Sequence, residues 1–374
     1  MIDTARLTAV LERPGAWSYA YVDGRGAEPQ VVEERRRDAV ARRLRDAGAP
    51  EPDVEAIETA LDQTTGLAAP SSRYLLAEDG AIVIDEPVPG ARVGPEIVGH
   101  SPIPPVLPLL RGRADGIRYL VVEVSRDAAE VRLENAGARA QQHSEIRGGL
   151  EALPKVNAGG WSQANYQRSA EETWKHNQSE IAAAVDRLVR EYAPRFVVLS
   201  GDIRARQLLI DRLDAAARQV LIVVDAHTDA AGADSAALDR AIDDALAEHL
   251  HAVEERIDDD ASADAGRSGA RGLAAVTEAL REARVARLLL DARMLDSDET
   301  LHALDRAPWI AAPGSRDADA RVIDSIPAAE AMARAALLTG AEVAVAEDRY
   351  DDDDSPRSSR APREPVASLR WPDP

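Results

Sequence analysis

Apolar residues along this chain recur with two periods, and the switches between them mark its elements. Trp17 to Val22 alternates as a half-buried strand does, and a charged stretch with helical spacing follows from Val31 to Ala47. A second helix is predicted from Pro52 to Gln63, with Asp53 and Glu55 in its first turn, where the helix dipole favours them, and Gly66 beyond its end. Arg73 to Ala77 and Ala81 to Asp85 read as strands joined by the turn Glu78-Asp79-Gly80. The run from Pro87 to Pro108 is expected to break regular structure and to mark a boundary.

A new pattern starts at Arg118. Tyr119 to Val124 is a buried-strand run and Ala129 to Glu134 its hairpin partner. A helix is predicted from Ser162 to Tyr192, with Ile181, Val185, Leu188 and Val189 at helical spacing and Pro194 after its end. Strand Phe196 to Leu199, helix Arg204 to Leu213 and strand Val220 to Val224 continue the alternation of a sheet covered by helices. A charged helix is expected from Asp234 to Ile257, then a loop from Asp258 to Gly269. Beyond it the pattern predicts helix Gly272 to Arg284, strand Ala286 to Asp291, helix Ala328 to Leu338 and strand Glu342 to Ala346. Asp351 to Pro365 reads as loop. No internal repeat is evident.

At 374 residues, and with roughly 100 to 200 residues per domain, the expected architecture is α/β with three domains. These are an N-terminal α/β domain over 1–115, a central mixed sheet with covering helices over 116–257, and a C-terminal α/β sandwich over 267–374. Hydrophobic residues are 45% of the chain but aromatics only 3%, so the cores must be aliphatic. The absence of cysteine excludes disulfides, thiolate metal sites and cysteine nucleophiles, and suits a reducing compartment. Met1 to Pro14 has no apolar signal core and no run of apolar residues reaches spanning length, so a cytoplasmic protein without membrane contact is expected.

The net charge of -21 opposes non-specific attraction to nucleic acid, so any RNA contact must be local and DNA is not an expected partner. One window departs from that balance. From Ala152 to Ala170 no acidic side chain occurs, and Lys155 and Lys175, the chain's two lysines, flank the same motif. Gly159 and Gly160 permit close backbone approach, Trp161 offers a stacking face, and Ser162, Gln163, Asn165 and Gln167 offer hydrogen bonds, with Asn157, Tyr166 and Arg168 in the same candidate RNA-binding loop. Stacking, polar side chains and a few cations are how splayed RNA is held. The simpler reading is a Gly-Gly turn whose tryptophan packs on its own domain, with Ser162 as a helix cap.

The order of parts around this motif resembles the central domain of the archaeal and eukaryotic class-one peptide release factors and their Pelota relatives. In that family a hairpin and a basic loop lead to Gly-Gly-Gln, a serine and a long helix. Here strand Tyr119 to Val124 precedes Gly159-Gly160, Ser162, a helix carrying Tyr166 and Arg168, and then Val197-Val198-Leu199-Ser200-Gly201. Gly272 to Leu280, Val285 to Leu290, Gly340 to Val345 and Val366 to Trp371 resemble the family's C-terminal domain. The N-terminal segment does not match its codon-reading domain. The chain also resembles the bacterial release-factor-like group that includes the hibernation factor Balon and its actinobacterial relatives.

The resemblance implies a stress-related factor that enters the ribosomal A site, directs this loop toward the peptidyl transferase centre and blocks translation, with rRNA and elongation factor Tu as partners. Trp161 stands where the family has its water-positioning glutamine, so an enzyme is not expected. The alternative is a peptidyl-tRNA hydrolase that rescues stalled ribosomes with Gln163. No cofactor or metal is expected. Asp225, His227 and Asp229 follow a strand end, where α/β enzymes hold ligands, but turn chemistry accounts for them more simply. His249 and His251 do not share a helical face and read as solvated. Ser200-Gly201-Asp202 lacks a nucleophile elbow and reads as a tight strand-to-helix turn capped by Asp202.

Overall fold

The computed structural model describes residues 4–13, 15–24, 30–65, 67, 70–89, 91–111, 117–125, 128–136, 142–147, 178–224, 235–315, 319–346 and 363–371. It is a mixed α/β structure that divides into two compact units, Met1–Arg113 with Leu250–Pro374 (unit 1) and Ala114–His249 (unit 2). The first and last segments of the sequence thus share one unit.

In unit 1 the N-terminal segment forms an antiparallel sheet of β1 (Trp17–Asp23), β2 (Ser71–Glu78), β3 (Ala81–Pro89) and β4 (Ile97–Ser101), in the order β3-β2-β1-β4. The β2–β3 turn needs positive φ at Asp79 and Gly80, which an Asp-Gly pair tolerates. The proline-rich run is more regular than its composition suggests. It holds β4, which pairs with β1, and the short helix α4 (Leu107–Leu110), after α1 (Thr4–Leu11), α2 (Gln30–Asp46) and α3 (Glu51–Asp62). Pairing satisfies the backbone of 97–101 because no proline falls within it.

β1 is buried on both faces by alternation. Ala20 and Val22 pack with Leu75 and Ala77 against Val40, Leu44, Val54 and Ile57 of α2 and α3. On the same face Asp53 is buried and accepts from Ser18 Oγ (2.7 Å) and Gly80 N (2.6 Å), so it pins α3 to the sheet rather than facing solvent. Trp17 and Tyr21 turn to the other face and join a core cluster that includes residues of the C-terminal segment.

In unit 2, β5 (Arg118–Val124), β6 (Ala128–Asn135), β7 (Gln142–Arg147), β8 (Phe196–Gly201) and β9 (Leu221–Val223) form a sheet of order β7-β6-β5-β8-β9. β5, β8 and β9 are parallel, while β6 and β7 are antiparallel additions. Helical residues 178–192 (α5), α6 (Ile203–Ile210) and α7 (Ala215–Gln219) cover one face.

Helix α8 (Ser235–Ser262) continues through the stretch expected to be a loop. Val253, Ile257 and Ala261 recur every four residues and pack against Leu289 and Val366, so burial carries the helix past Asp258–Asp260. The C-terminal segment of unit 1 holds a sheet of order β10-β16-β11-β15, from β10 (Gly269–Arg271), β11 (Val285–Asp291), β15 (Glu342–Ala346) and β16 (Val366–Leu369). A second, three-stranded sheet of β12 (Thr300–Leu304), β13 (Ile310–Ala311) and β14 (Val322–Pro327) was not apparent in the sequence pattern. Helices α9 (Leu273–Arg281) and α10 (Ala328–Leu338) complete the segment, and α10 is buried from Ala328 to Leu337.

Two charged residues of α10 grip the N-terminal segment. Glu330 accepts from Val106 N (2.8 Å) and Leu107 N, and Arg334 donates to Leu11 O (2.9 Å). Burial pushes the Glu330 carboxyl up to about 7, against the backbone donors of Val106 and Leu107 and the positive charge of Arg111, which favour ionisation. A carboxyl raised on folding adds stability in acid that is lost as pH rises from its unfolded value through 7. Wild type should therefore lose about 2 kcal/mol relative to Glu330→Gln between roughly pH 5 and pH 8. Denaturant unfolding at the two pH values checks this, and a constant difference contradicts it.

Candidate functional site

The motif residues Lys155, Asn157, Gly159, Gly160, Trp161, Ser162, Gln163, Tyr166, Arg168 and Lys175 lie outside the described residues, as do Asp225, His227 and Asp229. The structure does describe the chain on either side of both segments. β7 runs antiparallel to β6 and brings Arg147 opposite Ala128, the first residue of β6. Ala128 O accepts from Ser125 N (2.9 Å), immediately after β5. On the far side of segment 148–177, Gln178 is buried and its amide donates to Ser125 O (3.4 Å). Both bounds therefore lie at the carboxyl ends of the parallel strands. Segment 225–234 follows β9 at the same edge, where Val224 N donates to Leu199 O (2.9 Å) and Arg206 Nη1 donates to Val224 O (2.6 Å).

The centre of this edge is the turn Ser200-Gly201-Asp202. Asp202 Oδ1 accepts from Arg204 N (2.9 Å) and Ala205 N (3.0 Å), bearing out its reading as the cap of α6. Gly201 has φ +115°, and a Cβ there would meet Val124 O at 1.9 Å. Ser200 is fully buried and its Oγ has no hydrogen-bond partner. Ser200 is therefore no exposed nucleophile, and Arg147, Gln178 and Val224, the described bounds of the two segments, lie at this edge. In open α/β sheets this edge is where ligands and functional loops collect.

The two faces of the sheet differ. Leu120, Val122, Val131 and Leu199 turn toward α5 and α6. The opposite face carries Tyr119 stacked on Phe196 (5.0 Å between centroids) and an ion cluster in which Arg132 meets Glu123 (2.6 Å), Glu130 (2.7 Å) and Glu134 (3.0 Å). Tyr119 Oη donates to Glu134, and burial followed by that carboxylate's charge raises its pKa. Three carboxylates thus surround one guanidinium on a face whose Val121 and Val198 are fully buried. The alternation Glu130-x-Arg132-x-Glu134 was the signal for this cluster. Gln178 and Arg206 carried none, since each owes its position to a neighbouring strand.

Residues 118–267 match the model of bacterial archaeo-eukaryotic release factor family 2. The release-factor-like stretch contains every strand of unit 2 and the whole segment from Lys155 to Lys175. Two uncharacterized Mycobacterium tuberculosis proteins, Rv2629 of strain H37Rv and MT2704 of strain CDC 1551, are 25% identical over 215 residues, 56% of this chain and 56% of theirs. The chain thus spans about half the length of the curated relatives it matches. Solved structures with a similar course include archaeal translation termination factor aRF1 (16% identity, TM-score 0.27, 99% of this chain and 97% of that one). Archaeoglobus fulgidus Pelota is another (16% identity, TM-score 0.38, 80% and 79%), as is S. cerevisiae Dom34 (12% identity, TM-score 0.39, 81% of each). Likeness at this level does not extend to the site.

Among the described residues no group of three His, Asp or Glu side chains is placed to hold a metal ion, and no helix is long and apolar enough to cross a membrane. His251 is exposed, with Nε2 3.3 Å from Glu255, whereas His249 is half-buried rather than solvated.

Proposed function

We propose that this chain is a ribosome-binding factor of the release-factor type that occupies the A site, directs the Lys155–Lys175 segment toward the peptidyl transferase centre and blocks translation without hydrolysis. The observation that carries the reading is the match of residues 118–267 to a release-factor family over a stretch that includes Gly159-Gly160-Trp161. Trp161 in the glutamine position favours occupancy over chemistry, because an indole offers no amide carbonyl to hold a water. Hibernation during stress, and delivery by elongation factor Tu, are the finer parts of the same proposal.

The test is co-sedimentation with ribosomes at low salt, together with release of peptide from ribosome-bound peptidyl-tRNA. Base stacking on an aromatic ring contributes about 1–3 kcal/mol per base, so Trp161→Ala should weaken association about fivefold to a hundredfold. Association unaffected by Trp161→Ala refutes the loop's role. Peptide release that disappears in Gln163→Ala identifies a hydrolase instead.

A further inference from the structure

Arg118 opens β5 and Arg195 stands one residue before β8, at the amino ends of the parallel strands. The bounds of segment 148–177 lie at the other end of the same sheet. Arg195 N donates to Arg118 O (2.7 Å), and the next residue of each strand, Tyr119 and Phe196, are register partners with stacked rings. The two arginines are therefore neighbours across the sheet, with Cα atoms about 5 Å apart, the spacing of adjacent strands. Both are exposed, and neither side chain makes a hydrogen bond or an ion pair among the described residues.

The surroundings do not supply the missing anion. Glu134 on the neighbouring strand β6 is taken by Tyr119 (2.8 Å) and Arg132 (3.0 Å), and Asp186 is shared by the charges of Arg190 and Arg218. The stretches of sequence that enter or leave the strands at this end, 112–118, 135–141, 190–195 and 214–220, hold six arginines and three carboxylates. Their net charge is +3, in a chain whose total is -21. Like charges side by side on adjacent strands are destabilising. Two guanidiniums at this spacing are also what one phosphate takes as a bridging, charge-assisted pair. Ile117, Tyr119, Pro194 and Phe196 beside the pair are buried, so an acidic protein would find no apolar surface to cover there, whereas a nucleic-acid backbone needs none.

We infer that Arg118 and Arg195 together grip a backbone phosphate of RNA. The inference rests on the ribosome-binding reading for the source of that RNA, and it adds a contact outside the Lys155–Lys175 segment.

The probe is a fluorescein-labelled RNA hairpin, titrated with the full-length protein and followed by anisotropy between about 50 and 200 mM KCl. Arg118→Gln/Arg195→Gln should bind roughly fivefold to tenfold more weakly, and the slope of log Kd against log salt should fall by about one. Arg35→Gln/Arg42→Gln, an equal change of charge on the exposed side of α2, should leave both unchanged. In denaturant the Arg118→Gln/Arg195→Gln protein should unfold no earlier than wild type, because the substitution relieves a repulsion. The inference fails if wild type does not bind the hairpin, if the two double variants behave alike, or if the Arg118→Gln/Arg195→Gln midpoint falls, which marks a structural role. Displacement of the hairpin by inorganic phosphate at comparable concentration assigns the pair to a free phosphate and overturns the inference as well. Ribosome co-sedimentation separates this contact from the loop: loss with Trp161→Ala but not with Arg118→Gln/Arg195→Gln leaves the ribosome-binding reading standing and sinks the phosphate grip, and the reverse pattern does the opposite for the loop.

Discussion

Arg334→Ala should destabilise unit 1 by about 3–5 kcal/mol, the range in which a buried cation's hydrogen bonds and its volume are lost together. The guanidinium is 2% exposed and donates to Leu11 O, Leu304 O (3.2 Å) and Trp309 O (3.3 Å), with its carbon 5.6 Å from the centre of the Trp309 ring. Among the described residues no carboxylate pairs with it, and burial lowers its pKa to about 10. Its contribution is therefore a difference between several charge-assisted bonds and a desolvation penalty. Arg334→Met separates the two, because it keeps most of the volume, removes the penalty and loses only the bonds. The methionine variant should cost about 2 kcal/mol less than alanine. Denaturant unfolding measures both. If each lies within about 1 kcal/mol of wild type, the guanidinium is not what joins the N-terminal and C-terminal segments.

Gly201→Ala is the second large effect, expected at about 3 kcal/mol or more on unit 2. The new methyl would stand 1.9 Å from Val124 O and 2.8 Å from Val124 C, both backbone atoms, at φ +115°. Neither neighbour is the end of a flexible side chain. β5 and β8 must separate at their carboxyl ends, breaking the bond from Asp202 N to Val124 O (2.9 Å) and disturbing the cap of α6. Gly48→Ala is the control. It also has positive φ (+84°) but nothing within 4 Å, so it should cost only about 1 kcal/mol. Equal losses in the two variants would rule out steric closure at the edge. Because segment 148–177 is bounded at that edge, ribosome association should fall with Gly201→Ala and not with Gly48→Ala.

Much of the element order was legible from periodicity. β1, α2, α3, β5, β8 and α10 lie within a few residues of their predicted spans. The Asp202 cap was legible too, because a strand end, a glycine and an aspartate before a helix have few other arrangements. β4 was hidden by flanking prolines, although the five residues that pair contain none. The end of α8 was hidden by Asp258 to Asp260, which looked like a solvated loop until their apolar neighbours met Leu289 and Val366.

Residue order alone determined the α/β class, the aliphatic cores, the absence of thiol chemistry and the acid-free island from Ala152 to Ala170, since each follows from local spacing or side-chain type. Tertiary structure decided that the first and last segments share one unit, that Glu330 and Arg334 are buried among backbone groups far away in the chain, and that the bounds of segment 148–177 and the start of segment 225–234 meet at one sheet edge. Those are outcomes of strand register and of desolvation at long range, and neither leaves a period in the sequence.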